Sequence, residues 1–184
     1  MIRIKESELI LNPDGSIYHL NLKPEDISDT ILFVGDQDRV EKITKHFDTI
    51  EFSTQKREFK TQTGTYKGKR ISVISTGIGP DNIDIVLNEL DALINIDFTT
   101  RTIKEKLNSL NIIRIGTSGS LQSDIPVDSF LIGTHGLDLN GMLHFYELED
   151  ICNHEIENAF MKHTHWNSNK ARPIVINNSI ELER

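Results

Sequence analysis

The chain has 184 residues, 37% of them hydrophobic and 26% charged, the composition of an ordinary globular protein. Lys and Arg number 20 against 28 Asp and Glu, a formal net charge of −8. That field is a poor match for nucleic acid or an anionic membrane, so neither is expected as a partner and an anionic ligand would need a local cluster of arginine. A single cysteine, Cys152, excludes an internal disulfide and a Cys-rich zinc site, and fits a reducing, cytoplasmic setting. The N-terminus carries early acids and no apolar core, so no secretory leader is expected. Nowhere do about 18 apolar residues run together, so no membrane-spanning helix is expected.

In chain order, Asn12-Pro13-Asp14-Gly15-Ser16 has turn chemistry. Residues 31–34 are a short apolar strand ending in Gly35-Asp36. Val40, Ile43 and Phe47 then share one helical face. Strand, tight turn and helix together open an α/β fold. Residues 59–66 and 71–74 read as strands joined in a hairpin across Lys67-Gly68-Lys69. Ser75-Thr76-Gly77-Ile78-Gly79 leads into a helix with Pro80 in its first turn and Asp81 and Asp84 near its positive end. Ile83, Val86, Leu87, Leu90 and Leu93 make its apolar stripe. A second helix is expected over 102–110, with Ile103, Leu107 and Leu110 on one side. Residues 112–115 read as a buried-type strand with Arg114 inside it, stopping at Gly116-Thr117-Ser118-Gly119. Residues 127–132 read as a strand, 154–163 as a helix and 173–176 as a strand. The chain then ends at Glu181-Leu182-Glu183-Arg184 with no evident cap or closing element.

Three strands thus end in small-residue loops: Gly35-Asp36, Thr76–Gly79 and Gly116–Gly119. In open α/β sheets, ligands sit outside the carboxyl ends of the strands. Glycine lets a backbone N–H approach an anion, and a following helix adds its positive end. Arg114 in an Ile-rich strand is costly to bury unless paired. Either it forms a buried ion pair with Asp or Glu, or it aims a guanidinium fork at a phosphate. Arg39, one turn into the helix after Gly35, points at the same anion or at solvent. His163-Thr164-His165, with Cys152 and His154, reads as solvated, and no metal site is expected.

Several stretches resemble the nucleoside phosphorylase family, its uridine phosphorylase branch most of all. They are Tyr18-His19-Leu20-Asn21-Leu22, Val34-Gly35-Asp36-Gln37-Asp38-Arg39-Val40, Arg57-Glu58-Phe59, Ser75-Thr76-Gly77-Ile78-Gly79, Arg114-Ile115-Gly116-Thr117-Ser118-Gly119 and Leu143-His144-Phe145. Order and spacing agree from Tyr18 to about Glu149. The resemblance implies a mixed central sheet flanked by helices, Rossmann-like and three-layered. It implies one domain over 1–184 whose C-terminal part is missing.

The resemblance also implies roles. Gly35, Arg39, Arg114 and Thr117 match phosphate-binding positions, with Arg114 and Thr117 catalytic. His19 and Arg57 match residues lent to a neighbouring subunit, the His to the ribose 5′-hydroxyl and the Arg to the phosphate. Glu58, Ile78 and Asn82 fall where some members bind a monovalent cation between subunits, Asn82 standing where the family usually has Ser. Gln37 replaces a Pro, Pro80-Asp81 replaces a Gly-Pro pair, residues 95–110 look inserted, and the leader before Tyr18 is long. The family's base-recognition segment and its ribose-binding Met-Glu pair come later than anything in this chain. The implied reaction is phosphorolysis of a nucleoside, uridine or another pyrimidine nucleoside, to free base and ribose 1-phosphate. The implied partners are nucleoside and inorganic phosphate, and the implied assembly is a homodimer or a dimer-based hexamer. No cofactor is implied beyond phosphate as co-substrate and the monovalent cation. The alternatives are a purine nucleoside phosphorylase, a nucleoside hydrolase of the same superfamily, and a non-catalytic fragment or nucleotide-binding assembly subunit.

Overall fold

The computed structural model describes residues 3–178, the side chain of Glu149 excepted; the acidic end at 181–184 lies outside the described residues. The chain divides into two units, Met1–Ser118 and Gly119–Arg184.

The first unit is built on a five-stranded mixed sheet. β1 (Thr30–Val34) leads through Gly35-Asp36 into α1 (Asp38–Thr44). β2 (Thr49–Lys56), β3 (Phe59–Tyr66) and β4 (Lys69–Ser75) follow, then α2 (Pro80–Asn95). A short hairpin of β5 (Ile96–Asp97) and β6 (Thr102–Ile103) precedes β7 (Asn111–Arg114). The strand order is β2-β3-β4-β1-β7, antiparallel from β2 to β4 and parallel where β1 meets β4 and β7. At the β3–β4 turn Lys67 and Gly68 both have positive φ, 50° and 77°, as a tight type I′ hairpin requires.

Alternation along β1 sets the layers. Ile31 and Phe33 pack with Val86, Leu90 and Leu93 of α2. Leu32 and Val34 pack with Val40 and Ile43 of α1. Helices therefore cover both faces of the sheet. Leu9, Ile17, Leu20 and Leu22 of the leader are buried in the α2 layer. The α2 stripe runs through Val86, Leu90 and Leu93, whereas Leu87 is exposed.

Three features of this unit differ from expectation. β2 was not foreseen: Ile50 and Phe52 alternate with polar residues, but Ile50 is exposed and Phe52 only half-buried, which weakens the pattern. Residues 102–110 do not form a helix. Ile103 and Leu107 are exposed, so their helical spacing has no apolar layer to face. Asn95 fastens the segment instead, its Oδ1 accepting from Asn108 N at 2.8 Å and its carbonyl from Lys104 N at 2.8 Å. Finally, β7 is not a buried strand. Among the described residues it pairs only with β1, at the sheet edge, and Ile113 and Arg114 are exposed. The Arg114 guanidinium is therefore not in a buried ion pair.

The second unit pairs β8 (His135–Asp138) with β9 (Ile174–Asn177) antiparallel, and α3 (His154–Thr164) packs on β9. The expected strand over 127–132 does not form. Pro126 O accepts from Ser129 N and Oγ in a turn, Asp128 takes φ 66°, and Phe130 is fully exposed. Strand pairing begins only at His135. α3 is capped by the Asn153 side chain, which accepts from Ile156 N. Glu157 is buried on its inner face and accepts from Val175 N at 2.9 Å, His154 Nδ1 at 2.8 Å and Arg172 Nη2 at 2.8 Å. Burial alone would raise its carboxyl; the His154 and Val175 hydrogen bonds and the Arg172 charge outweigh that and hold it below the usual glutamate range. No helix among the described residues is long and apolar enough to cross a membrane.

Candidate functional site

The parallel register puts the carboxyl ends of β4, β1 and β7 side by side. Thr76 N donates to Val34 O at 2.8 Å, and Ile115 N donates to Phe33 O at 2.8 Å. The loops at Gly35, Gly77 and Gly116 therefore share one edge, and the first turn of α1 carries Arg39 beside it. The Arg114 guanidinium lies between two of these glycines. A Cβ on Gly35 would stand 3.8 Å from its Nη2, and a Cβ on Gly116 would stand 2.5 Å from its Nη1. Thr117 follows on the same loop and is exposed.

The β2–β3 turn belongs to this same end of the sheet. Ser75 Oγ, at the end of β4, donates to Glu58 O at 2.6 Å and accepts from Lys60 N at 2.7 Å. Arg57, the first residue of the turn, is exposed and has φ 56°. A non-glycine residue held at positive φ costs about 1–3 kcal/mol, a strain that recurs at functional sites. Glu58 and Asn82 meet at Gly77: a Cβ there would lie 3.0 Å from Glu58 Cγ and 2.5 Å from Asn82 Nδ2. Gly77 itself has φ 72°, so the turn needs glycine on both counts. The Ile78 side chain is exposed.

The seven described arginines fall into two groups. Arg3 donates to Glu6, and Arg172 to Glu157. Arg70 donates to Glu51, Ile27 O and Glu25 O, and Arg101 to Ile4 O, Lys5 O and Leu9 O. Arg39, Arg57 and Arg114 have no hydrogen-bond acceptor among the described residues. Guanidinium groups are well shaped for bidentate oxyanions. The three arginines singled out from the sequence are thus the three that the fold leaves available.

His19 sits in the leader, and its ring makes edge contacts with Tyr18 and Phe59 at centroid distances of 4.8 and 6.5 Å. That brings it beside the β2–β3 turn. Glu89 of α2 accepts from His19 N at 2.9 Å and Leu20 N at 2.8 Å, and its Oε1 lies 2.7 Å from His19 Nδ1. Lys56, one residue before Arg57, donates to Asn12 Oδ1 at 3.0 Å and to Tyr18 O, and its Nζ lies over the Tyr18 ring. The sequence reading missed Glu89 and Lys56. Their partners are 70 and 38 positions away, so no local pattern marks either. His144, by contrast, bonds Arg172 O through Nε2 within the second unit.

The chain resembles known proteins over most of its length. The family model described as the phosphorylase superfamily matches residues 29–170. A uridine phosphorylase of Thermococcus kodakarensis is 35% identical over 128 residues, covering 70% of this chain and 41% of the relative. A DeoD-type purine nucleoside phosphorylase of Clostridium novyi is 35% identical over 134 residues, 67% of this chain and 52% of the relative. Among solved structures, a Trypanosoma brucei nucleoside phosphorylase described as showing uridine phosphorylase activity superposes with a TM-score of 0.69 at 36% identity, covering 75% of this chain and 47% of the other. The chain spans about half the length of the curated relatives it matches. On its sequence match and its fold, the chain belongs to the phosphorylase superfamily.

Proposed function

We propose that the protein carrying this chain cleaves a nucleoside, with a pyrimidine nucleoside such as uridine as substrate, by phosphorolysis. The observation that carries this reading is the set of three arginines without a hydrogen-bond acceptor among the described residues, at the end of a mixed sheet where the glycine loops of β4, β1 and β7 and the β2–β3 turn lie together. An oxyanion fits that edge. Arg114 and Arg39 hold it by charge, the Gly35 N–H and the Thr117 hydroxyl hold it by hydrogen bonds, and water needs no such cradle. A phosphate oxygen forms the bond to C1′ as the C1′–N bond breaks. The bonding pair leaves with the base, which takes up a proton. The transition state has oxocarbenium character, so a fixed phosphate is both nucleophile and counter-charge.

Arg57 completes the cradle from a neighbouring subunit in this reading. Three strand spacings, about 14 Å, separate β3 from β7, which disfavours delivery of Arg57 to its own chain's Arg114. His19 stands beside that turn and travels with it to the same neighbour. The contact is isologous, so the working unit is a homodimer or a dimer-based hexamer. Glu58, Asn82 and the Ile78 main chain offer oxygen donors of the kind a hard cation takes. A monovalent cation held there would offset the Glu58 charge and takes no part in bond breaking. The named uridine phosphorylase relatives favour a pyrimidine, and the DeoD-type relatives keep inosine in the test.

The test is base release from uridine, thymidine and inosine by the full-length protein, with and without phosphate. Phosphate-dependent release with ribose 1-phosphate as product is expected. Release at the same rate without phosphate would make the protein a hydrolase. Absence of both release and phosphate binding would favour a non-catalytic subunit.

A further inference from the structure

The Glu89 carboxylate gathers three N–H donors from one short stretch of the leader. Two are the backbone groups of His19 and Leu20, and the third is the His19 ring. Backbone N–H groups can only donate, and Oε1 takes both His19 N at 2.9 Å and His19 Nδ1 at 2.7 Å. An unprotonated Nδ1 would set a lone pair against that oxygen at hydrogen-bond distance. Nδ1 therefore carries the proton, and in the neutral ring Nε2 becomes the acceptor. Tyr18 and Phe59 pack edgewise on the ring and limit its rotation. The His19 side chain stays partly open, 27% exposed, while the Glu89 side chain is mostly covered at 12%. The carboxylate thus acts from behind the ring, and the ring keeps an open side.

We propose that Glu89 is a positioning residue: it fixes His19 as the Nδ1–H tautomer so that Nε2 accepts a hydrogen bond from a ligand hydroxyl. The identity of that hydroxyl, the 5′-hydroxyl of a nucleoside, rests on the phosphorolysis reading above; the tautomer does not. A ring that accepts selects a ligand that donates. A free hydroxyl is taken, whereas a 5′-deoxy nucleoside offers nothing and a 5′-phosphate presents only acceptor oxygens. Glu89→Gln reverses the arrangement. Its carbonyl can still accept from the backbone, but its NH2 donates to Nδ1, moves the proton to Nε2 and turns the acceptor into a donor.

The experiment has two arms on the full-length protein. The first is a long-range proton–nitrogen spectrum of histidine-labelled protein, with the His19 ring assigned from its loss in His19→Asn. A protonated Nδ1 and bare Nε2 are expected in the wild type, with the reverse in Glu89→Gln. A wild-type ring protonated at Nε2, or a tautomer unchanged in Glu89→Gln, overturns the proposal. The wild-type spectrum decides this even if the variant folds poorly. The second arm is kcat/KM for uridine against 5′-deoxyuridine. Loss of one hydrogen bond of this kind should lower the wild-type value about tenfold, and Glu89→Gln should bring the ratio within about threefold of unity. Equal use of both substrates by the wild type overturns the hydroxyl assignment. If no nucleoside is cleaved at all, the phosphorolysis reading falls, and the spectrum still decides the role of Glu89.

Discussion

Glu89 on α2 and Glu157 on α3 are built alike, one in each unit. Each is a helix glutamate that accepts from a histidine Nδ1 and from backbone N–H groups of a segment far away in sequence. They differ in what is left over. Glu157 is 1% exposed and adds Arg172, so a carboxylate, a guanidinium, an imidazole and a backbone amide close on one another. Glu89 adds no arginine among the described residues, and the ring it holds keeps an open side. A polar cluster that satisfies itself holds a fold together, whereas one that leaves a directed group over is set up to meet something else. The arginines divide in the same way. Arg70 and Arg101 each hold backbone carbonyls, and Arg39, Arg57 and Arg114 hold none among the described residues. Substitutions in the closed clusters should therefore move stability, and those at the open edge should move activity.

The largest expected effect is at the open edge. Arg114→Ala should remove about 3 kcal/mol or more of transition-state stabilisation, the scale of a lost preorganised charged donor. Its unfolding midpoint should stay nearly unchanged, because an exposed side chain with no acceptor contributes within about 0.5 kcal/mol. Steady-state kinetics across phosphate concentrations and a urea titration check the two halves. A large stability loss with retained kcat/KM would place Arg114 among the structural arginines and break the contrast.

Next in size is Glu157→Ala, with the opposite signature. Arg172 is half-exposed and can turn to water, so the full penalty of a stranded buried charge does not apply. What remains is the buried Val175 N–H left without its acceptor, about 1–3 kcal/mol. Phosphate KM should not move. The same group predicts a pH dependence. Its folded carboxyl lies below the usual range, so its stabilisation is present above the ordinary glutamate pKa, about 4.3. It is lost as pH falls from there through the lower folded value. Acid titration of unfolding should be less steep for Glu157→Gln than for the wild type below pH 5 or so. Parallel curves would remove Glu157 from the acid-sensitive groups.

The open edge was more legible in the sequence than the closed clusters. Gly35, Gly77 and Gly116 each follow an apolar run, and the order of motifs aligns Arg39, Arg57 and Arg114 with them. Local spacing carries that information. It carried too much at 102–110, where Ile103, Leu107 and Leu110 repeat like a helix but two of the three face solvent. At 127–132 an apolar run suggested a strand, and the turn at Pro126 and Asp128 took it instead. The strand at 112–115 was expected to be buried, and among the described residues it lies at the sheet edge; an Ile-rich strand reads the same in either place. Glu89, Lys56 and Glu157 were invisible for a different reason. Each is an ordinary charged residue whose meaning lies in a partner 15 to 70 positions away.

A smaller effect should come from Gly116→Ala. The φ of Gly116 is not in the left-handed region, so alanine is tolerated by the backbone itself. The added Cβ would stand 2.5 Å from Arg114 Nη1, the far end of a flexible side chain. The guanidinium yields and the strand does not. Stability should change by less than about 1 kcal/mol, and phosphate KM should rise about tenfold, equivalent to roughly 1.4 kcal/mol. Unaltered phosphate affinity would mean that the present direction of Arg114 is not the working one.

The smallest expected change in stability is also the most diagnostic in sign. Arg57 sits at φ 56° in a two-residue turn, an uncommon conformation for a side chain of its size. Nothing in the described residues rewards it there, since its guanidinium has no acceptor. Arg57→Gly removes the left-handed penalty but adds backbone freedom to the unfolded chain, and the two nearly offset. The net should be a gain of a few tenths of a kcal/mol, at most about 1. Phosphate affinity should fall in the same variant, because the proposed cradle loses its third charge. A turn that becomes more stable while phosphate binding becomes worse is the mark of strain kept for a ligand. A clear loss of stability in Arg57→Gly would instead show that Arg57 holds the hairpin, and would move it from the open group of arginines to the closed one.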